Sequence, residues 1–261
     1  MDLNFITYNC RGLPKDKISL ALRPDILKVL DNTHIIALQE TWLSKQSLSC
    51  INSLHDDFVG SGVAKIDETV GLIHGRYSGG VAFLWRKELS KYVKVIEINS
   101  DWCVAIEVNM GSVRAIIFNV YMPYQCSDNE DLYFEYLGYI QNLLEETQCT
   151  NFAVIGDWNA NLGCSGYNIF KGPMLNFCRE NELVVSSYEM LSNSSYTHIH
   201  TYNDNKHYSW LDHIVSSQNF HKSIKHIGIC YEVSDDDHIP VKFVLSTDQL
   251  PTFSDYNNDI C

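Results

Sequence analysis

Residues 153–163 read AVIGDWNANLG, an apolar run that stops at Asp157 and is followed at once by Asn159. The apolar run predicts a buried strand, and polar residues directly after such strands are where sites assemble in layered α/β folds. Side chains two residues apart on an extended segment point the same way, so this carboxylate and amide would face one substrate. Asp and Asn between Gly156 and Gly163 also suit an ordinary turn, and this segment alone does not separate the two interpretations.

Short runs rich in Val, Ile and aromatic residues lie on both sides of this segment and predict further strands. They occupy residues 3–9, 35–39, 80–85, 91–98, 104–110, 114–121, 152–156, 195–202, 210–215 and 239–245. Apolar residues at helical spacing predict helices at residues 17–30, 128–147 and 173–182. In the second helix we expect the core face to consist of Leu132, Tyr136, Tyr139, Ile140, Leu143 and Leu144. This order of elements predicts an α/β fold in which two β-sheets pack face to face beneath helices.

The chain has 261 residues, and no linker or repeat divides it. We expect one domain over residues 1–250 and a polar tail over residues 251–261. No apolar run has the ~20 residues of a membrane-spanning helix, and the first residues do not resemble a secretory signal. Nine cysteines without a CxxC pair favour reduced thiols over a disulfide framework. These features predict an intracellular protein, of the nucleus or the cytoplasm, that does not contact membranes.

The charge balance restricts the function without deciding it. Lys and Arg number 19 and Asp and Glu number 32, so the net charge is −13. A chain with this charge binds phosphates only weakly by electrostatic attraction. The charge is nevertheless compatible with an enzyme that binds phosphates through a metal ion, because the metal ion requires carboxylate ligands. The sequence contains neither a GxxxxGK[ST] nor a GxGxxG motif, so it does not predict a nucleotide-binding loop. His198 and His200, two apart on a predicted strand, could form a metal pair, but no third ligand stands at zinc-site spacing.

Other polar residues stand where apolar runs stop or start. Glu40 directly follows IIALQ and could bind Mg²⁺ or simply be solvated. Asp237 and His238, in SDDDHIPVKF, precede a strand; a run of aspartates is often a solvated loop, yet carboxylates also favour a charged histidine. Asp212, in SWLDHIVSS, could hydrogen-bond such a histidine and orient its ring.

The order of these segments is more specific than any one of them. TYNCRGL, ALQETWL, GGVAFLW, FNVYMPY, VIGDWNANLG, YSWLDHIVSS and SDDDHIPVKF resemble the successive blocks of the endonuclease/exonuclease/phosphatase superfamily, which includes DNase I and the apurinic/apyrimidinic endonucleases. The blocks span residues 7–243. The resemblance implies a four-layered, DNase I-like α/β sandwich of two mostly antiparallel sheets flanked by helices.

Within the superfamily, SWLDHIVSS is similar to endonuclease domains of non-LTR (LINE-type) retrotransposons, and the earlier segments LQETWL and GGVAFLWRK add to that likeness. The resemblance implies a Mg²⁺-dependent hydrolase, with Mn²⁺ as an alternative, that nicks DNA and leaves a 3′-hydroxyl primer for reverse transcription. The implied partners are DNA and a reverse transcriptase that is encoded elsewhere or lost by truncation, and we expect a monomer. The alternative within the same fold is a phosphomonoesterase or an RNA deadenylase.

The resemblance also implies a role for each candidate catalytic residue. Asp157 would orient and deprotonate the attacking water, and Asn159 would hydrogen-bond the scissile phosphate. Tyr121 would do the same or orient the water. His238 would stabilise the pentacoordinate phosphate, held in place by Asp212.

Metal and substrate contacts are implied in the same way. Glu40 would bind the metal, with Asn9 supporting the ligand sphere and Asp237 contributing. Substrate contacts are expected from Arg11 and Ser209, and from Asn203 and His207 in the polar segment TYNDNKHY, which resembles the hairpin loop that these enzymes lay along DNA. An ordinary exposed turn is the other interpretation of that segment.

Arg11 marks a departure from the repair enzymes, which carry an Asp two residues after the Asn. The missing carboxylate moves the chain away from abasic-site repair and puts a second metal in doubt. We expect Arg11 and Asn9 to share one strand face, with Cys10 pointing into the core.

Overall fold

The computed structural model describes residues 2–13, 30–70, 78–110, 113–163, 168–233 and 237–250. The predicted helix at residues 17–30, apart from Leu30, and the predicted polar tail lie outside the described residues. The strands are β1 Asp2–Asn9, β2 Ile35–Gln39, β3 Phe58–Val63, β4 Val81–Arg86, β5 Val93–Ile96, β6 Cys103–Met110, β7 Val113–Tyr121, β8 Phe152–Asp157, β9 Val184–Val185, β10 His198–Tyr202, β11 Asn205–Ser209, β12 Asp212–Ser216, β13 Ile224–Ile229 and β14 Val241–Ser246. The α-helices are α1 Glu130–Thr147, α2 Lys171–Glu180, α3 Ser186–Met190 and α4 Gln218–Ser223, with 3₁₀ segments at Lys45–Ser53, Lys87–Leu89, Ser127–Asn129 and Thr247–Gln249.

Twelve of these strands form two six-stranded sheets. The first has the order β13-β14-β1-β2-β4-β3 and the second the order β5-β6-β7-β8-β12-β9. Each sheet contains one parallel pair, β1 with β2 and β7 with β8, and every other pair is antiparallel. The expected α/β architecture of two mostly antiparallel sheets is therefore confirmed.

The two sheets pack face to face over one apolar core. Phe5 of β1 stacks on Phe243 of β14 with ring centroids 4.6 Å apart, and both belong to the same buried cluster as Ile117 of β7 and Ile155 of β8. The outer face of the second sheet is covered by α1 and α2, which contribute Tyr133 and Met174, among others, to a second cluster. Ile51 and Leu54, from the 3₁₀ segment and its end, cover the outer face of the first sheet.

Helix α1 buries a stripe that only partly matches the expected one, since Ile140 is buried as expected. Its buried residues are Tyr133, Leu137 and Ile140, spaced i, i+4, i+7, whereas Leu132 is 37% exposed. The expected Tyr136, Tyr139, Leu143 and Leu144 are half-buried at the margin of this stripe. The prediction was wrong for Leu132 because the sequence does not indicate which apolar residues at the margin of the stripe face the sheet.

Strand β3 was missed because its sequence, FVGSGV, contains two glycines that weaken any strand pattern. The packing explains them: a Cβ at Gly60 would lie 2.4 Å from the Phe83 carbonyl oxygen, and one at Gly62 would lie 2.6 Å from that of Val81. Strands β9, β11 and β13 were also missed, and the expected strand over residues 195–202 begins only at His198.

Candidate active site

The topology brings six of the predicted site residues to one edge of the two sheets. The parallel strands β1 and β2 end at this edge, as do β7 and β8, while β12 and β14 run antiparallel to β8 and β1 and begin there. Residues separated by more than two hundred positions therefore become neighbours. The six are Asn9, Glu40, Tyr121, Asp157, Asp212 and His238.

The centre of the site is a histidine between two carboxylates. His238 Nδ1 lies 3.0 Å from Asp212 Oδ2, and its Nε2 lies 3.8 Å from Asp157 Oδ2. All three side chains are buried, and their candidate ligand atoms lie within 4.8 Å of one another. The backbone of Asp212 is held by Thr197, whose Oγ1 accepts from the Asp212 amide at 3.0 Å. This arrangement aims the imidazole and places one carboxylate on each of its nitrogens.

Burial and mutual charge set the protonation of this group. Burial raises the pKa of Asp157 well above its usual range, and the nearby charge of Asp212 raises it further. Burial alone would lower the pKa of His238, but the charges of Asp212 and Asp157 and the hydrogen bond to Asp212 outweigh it and raise that pKa to about 9. His238 is therefore a cation at neutral pH.

Asn9 links this centre to Glu40. Its Nδ2 donates to Glu40 Oε1 and to Asp157 Oδ2, each at 2.9 Å, while its Oδ1 accepts from the Arg11 backbone at 3.2 Å. The second Glu40 oxygen, Oε2, accepts from Trp42 Nε1 at 2.9 Å. Asn9 thus presents its amide nitrogen to both carboxylates and orients them.

Tyr121 contributes a hydroxyl that stays protonated. Burial raises its pKa far above the usual range, and the charges of Glu40 and Asp157 raise it further. Its side chain is hydrogen-bonded to that of Glu40. Tyr121 can therefore orient groups by donating a hydrogen bond but cannot accept a proton as a base.

Asn159 does not lie on an extended segment, contrary to the expectation that it continues the strand. Its φ is +50°, and its backbone N–H donates to Asp157 Oδ1 at 3.0 Å. Its Nδ2 donates to the Met122 carbonyl at 2.8 Å. The segment is therefore both a turn and part of the candidate site, because the turn after β8 holds the Asp157 carboxylate. One amide proton of Asn159 is left for a substrate.

Arg11 likewise leaves the strand, so the prediction that it shares a strand face with Asn9 was wrong. Strand β1 ends at Asn9, and Arg11 has a φ of +45°, although Cys10 is buried as expected. The chain turns here because Gly12 packs against Trp42, where a Cβ would lie 2.2 Å from the ring. The Arg11 guanidinium is ion-paired with the Asp237 carboxylate. Asp237 is thus directed to Arg11 rather than to the carboxylate–histidine group.

Backbone strain is concentrated at the same edge. Of the eight non-glycine residues with positive φ among those described, four follow β1, β2 or β8 at the site. Such conformations cost ~1–3 kcal/mol each and persist where the surroundings impose them, as at functional sites. The four are Arg11, Glu40, Trp42 and Asn159.

The expected substrate-contact segment forms a hairpin, β10 paired with β11. Asn203 and Asp204 form its two-residue turn with φ of 47° and 60°, as a type I′ turn requires. His207 stands opposite His200, and Ser209 pairs with His198 at the base. Asn203 and His207 are exposed and lie away from the catalytic group, so their role depends on how far a substrate extends.

His198 and Thr197 reach the site without having been predicted there. The His198 ring lies 4.7 Å from the His238 ring, and the two residues form an isolated antiparallel bridge. Burial, followed by the charge of His238, lowers the pKa of His198 to about 4, so it is neutral. The zinc pair that His198 and His200 could have formed gains no ligand, since their ring centroids are 6.5 Å apart and no metal group forms around them among the described residues.

The carboxylates at this edge fit a hard divalent cation. Asp212 Oδ1 is buried and has no hydrogen-bond partner among the described residues, and the Asp157 charge is opposed by its carboxylate neighbour. Glu40 adds a third carboxylate, linked to Asp157 through Asn9. Carboxylate oxygens of this kind are the ligands that Mg²⁺ prefers in proteins.

Comparison with known proteins agrees with this geometry. The sequence profile of the Endonuclease/Exonuclease/phosphatase family matches residues 6–255. The chain belongs to this family. The family comprises hydrolases, namely nucleases and phosphatases. Curated proteins, by contrast, contain no sequence match.

Solved structures of this family share the fold at low identity. An AP endonuclease from Leishmania major has a TM-score of 0.71 at 14% identity, over 94% of this chain and 87% of its own. The endonuclease domain of the telomere-specific non-LTR retrotransposon TRAS1 has a TM-score of 0.67 at 12% identity, over 93% and 98%. The 3′ phosphatase NExo from Neisseria, solved with a product DNA hairpin, has a TM-score of 0.65 at 17% identity, over 94% and 99%. No helix of the described residues has the length and apolar character to cross a membrane.

Proposed function

We propose that this family member is a metal-dependent phosphodiesterase that nicks DNA in the manner of a retrotransposon endonuclease. The observation that carries the proposal is the buried Asp157–His238–Asp212 group, linked through Asn9 to Glu40 at one sheet edge. The motif spelling SWLDHIVSS and the shared fold of the TRAS1 domain support the retroelement type. The expected product is a 3′-hydroxyl that primes reverse transcription.

Phosphodiester hydrolysis needs an activated water, and Asp157 is the group placed to supply it. Its raised pKa makes its carboxylate a stronger base than an ordinary aspartate. Water adds to phosphorus, its proton passes to Asp157, and the bond to the 3′-oxygen breaks. The leaving oxygen takes up a proton to become the 3′-hydroxyl.

The neighbouring side chains stabilise the charge that develops on the phosphate. His238 is a cation aimed by Asp212, and it donates a hydrogen bond to a phosphate oxygen. The remaining Asn159 amide proton donates to the same group, while Tyr121 donates its proton to Glu40 and orients that carboxylate. Glu40 would hold a Mg²⁺ ion, which would neutralise phosphate charge when bound.

One observation favours a second function, that of a phosphomonoesterase, over the other alternative in this fold, an RNA deadenylase. The net charge of −13 suits a small phosphate better than a long polyanion. The similar fold of the 3′ phosphatase NExo also supports phosphomonoester hydrolysis as the alternative reaction. The local motif spellings still favour DNA as the substrate.

Incubation with supercoiled plasmid and Mg²⁺, with and without EDTA, tests the proposal directly. We expect conversion to the nicked circle that EDTA abolishes, and a rate at least ~100-fold lower for Asp157→Asn and for His238→Ala, with unchanged circular dichroism. A panel of inositol phosphates and poly(A) runs in parallel. Uncut plasmid beside rapid phosphate release or poly(A) shortening would replace this function by the corresponding alternative.

A further inference from the structure

A cavity opens beside the Asp157–His238–Asp212 group, and most of its lining residues have no role in the steps above. It has a volume of about 200 Å³, and Tyr121 forms part of its wall. Tyr121 is also hydrogen-bonded to Glu40, and the next residue, Met122, donates its backbone N–H to the Asp157 carbonyl at 2.9 Å. The cavity and the catalytic carboxylates therefore share one stretch of chain, after β7.

Several aromatic side chains line this cavity. Trp102 and Tyr136 line it as a stacked pair, with ring centroids 3.8 Å apart and an interplanar angle of 10°. Tyr124 and Leu132 also line it and remain 63% and 37% exposed. The exposure of Leu132, unexpected from the helix pattern, is explained if its partner is a ligand.

Polar groups stand among these apolar side chains. Lys65 lines the cavity with an exposed side chain, and the carboxylate of Asp101 lies in the same wall. Asn129 also lines it and fixes the local chain, donating from Nδ2 to the Tyr124 carbonyl at 2.9 Å. A flat aromatic surface beside a cation is the combination that takes a nucleobase together with a backbone phosphate.

We propose that this cavity, defined by Lys65, Trp102, Tyr121, Tyr124, Leu132 and Tyr136, binds one nucleotide of the DNA strand that carries the scissile phosphate. The base stacks on Tyr124, and its phosphate meets Lys65. The inference rests on the proposed DNA-nicking function and adds a subsite to it.

The position of the cavity supports this occupant over a free small molecule. A chain of contacts runs from His198 through His238, Asp157, Asn9 and Glu40 to Tyr121. The β10–β11 hairpin stands at one end of this chain of contacts and the cavity at the other. A strand whose phosphate lies at the catalytic group can thus be held on both sides, as positioning of a reacting bond requires.

Steady-state nicking of a duplex oligonucleotide by Tyr124→Ala, Tyr124→Phe and Lys65→Ala tests the subsite. Stacking of one base is worth ~1–3 kcal/mol, so we expect Tyr124→Ala to raise the KM for the duplex roughly tenfold, and Tyr124→Phe to stay near the wild type. Lys65→Ala should raise the KM and lessen its dependence on salt. Phe134→Ala is the matched control, because Phe134 is 50% exposed on α1 without lining the cavity.

Hydrolysis of bis(4-nitrophenyl) phosphate separates the subsite from the chemistry. This diester carries no neighbouring nucleotide, so every one of these variants should hydrolyse it at the wild-type rate. If wild-type protein nicks the duplex and Tyr124→Ala does so with an unchanged KM, the subsite is refuted while the nuclease function stands. If wild-type protein leaves the duplex intact, the proposed function fails, and the subsite proposal fails with it.

Discussion

At the scale of single residues, the site depends on His238 keeping a proton between two carboxylates. Asp212 supplies the short contact at 3.0 Å, and Asp157 the longer one at 3.8 Å. If either carboxylate is removed, the buried positive charge of His238 is balanced by only one negative charge. The three side chains therefore act as one unit. Sequence order alone placed these residues near strand ends, but their charge states follow from burial.

The raised pKa of His238 makes stability depend on pH. The pKa rises from 6.5 in the unfolded chain to about 9 in the folded protein, so the native state binds the extra proton between these values. The stabilisation is complete below pH 6.5 and is lost as the pH rises through about 9. We expect the Tm to fall from pH 7 to pH 9, as measured by thermal unfolding in matched buffers. His238→Gln removes the titrating group and should flatten this decline; an equally steep decline in that variant would assign it to another group.

Glu40 is expected to be the principal metal ligand. Glu40→Gln keeps the shape of the side chain but loses the charge that a hard cation prefers, so the Mg²⁺ concentration for half-maximal activity should rise at least ~10-fold. The measurement is a Mg²⁺ titration of nicking rate. Glu88→Gln, at an exposed glutamate in another part of the chain, serves as the control. An unchanged titration in Glu40→Gln would move the ligand elsewhere.

At the scale of elements, the parallel pair β7–β8 carries Asp157, the proposed catalytic base. Gly156 precedes Asp157 with a φ of +134°, and a Cβ there would lie 2.1 Å from the Val120 carbonyl oxygen. The close approach of these two strands is therefore possible only with glycine at this position. The identity of residue 156 determines how the Asp157 carboxylate is presented.

Gly156→Ala should lower the free energy of unfolding by at least ~2 kcal/mol, because it adds both backbone strain and a clash with β7. Gly138→Ala is its counterpart in helix α1, where no atom lies within 4 Å of the added Cβ. That change should stabilise the protein by about 0.5–1 kcal/mol. Urea unfolding measures both, and equal effects would contradict the strand-contact explanation.

The β10–β11 hairpin is expected to determine where DNA is nicked. Catalytic residues contact a phosphate common to all sequences, so preference must come from groove contacts and DNA deformation. Replacing residues 201–208 by a short Gly-Ser turn leaves Thr197 and His198 in place. The pattern of nicks on an end-labelled duplex should change, while Mg²⁺ dependence and the need for Asp157 persist. An unchanged pattern would show that preference arises elsewhere.

At the scale of the whole molecule, a net charge of −13 limits how DNA can be bound. The cations beside the site are few in the described part of the chain, and Arg11 is ion-paired with Asp237. We expect the logarithm of the DNA association constant to fall with the logarithm of salt concentration with a slope no steeper than about −3. Fluorescence anisotropy in Ca²⁺ at several salt concentrations measures this slope. A much steeper one would mean that an extended basic surface holds the DNA.

The sequence by itself located the buried strands at the centre of the two sheets and the candidate reactive side chains beside them. Apolar runs locate β1, β2, β7 and β8 because each of these strands is buried on both faces. Glu40 directly follows β2, and Asp157 is the last residue of β8. These strands and residues can be recognised without a structure because an apolar run and a motif are both features of consecutive residues. The glycine-rich β3 and the exposed β11 lack that local signal and were missed.

Tertiary structure alone decided how the side chains meet. The left-handed turns at Arg11 and Asn159, the contact of His198 with His238 and the cavity at Tyr124 each depend on segments distant in sequence. Local pattern cannot report these features, because they arise where the edges of two packed sheets coincide. The protonation of His238 belongs with them, since it is set by burial and by Asp212 and Asp157, which only the fold brings within hydrogen-bonding or charge-pairing distance.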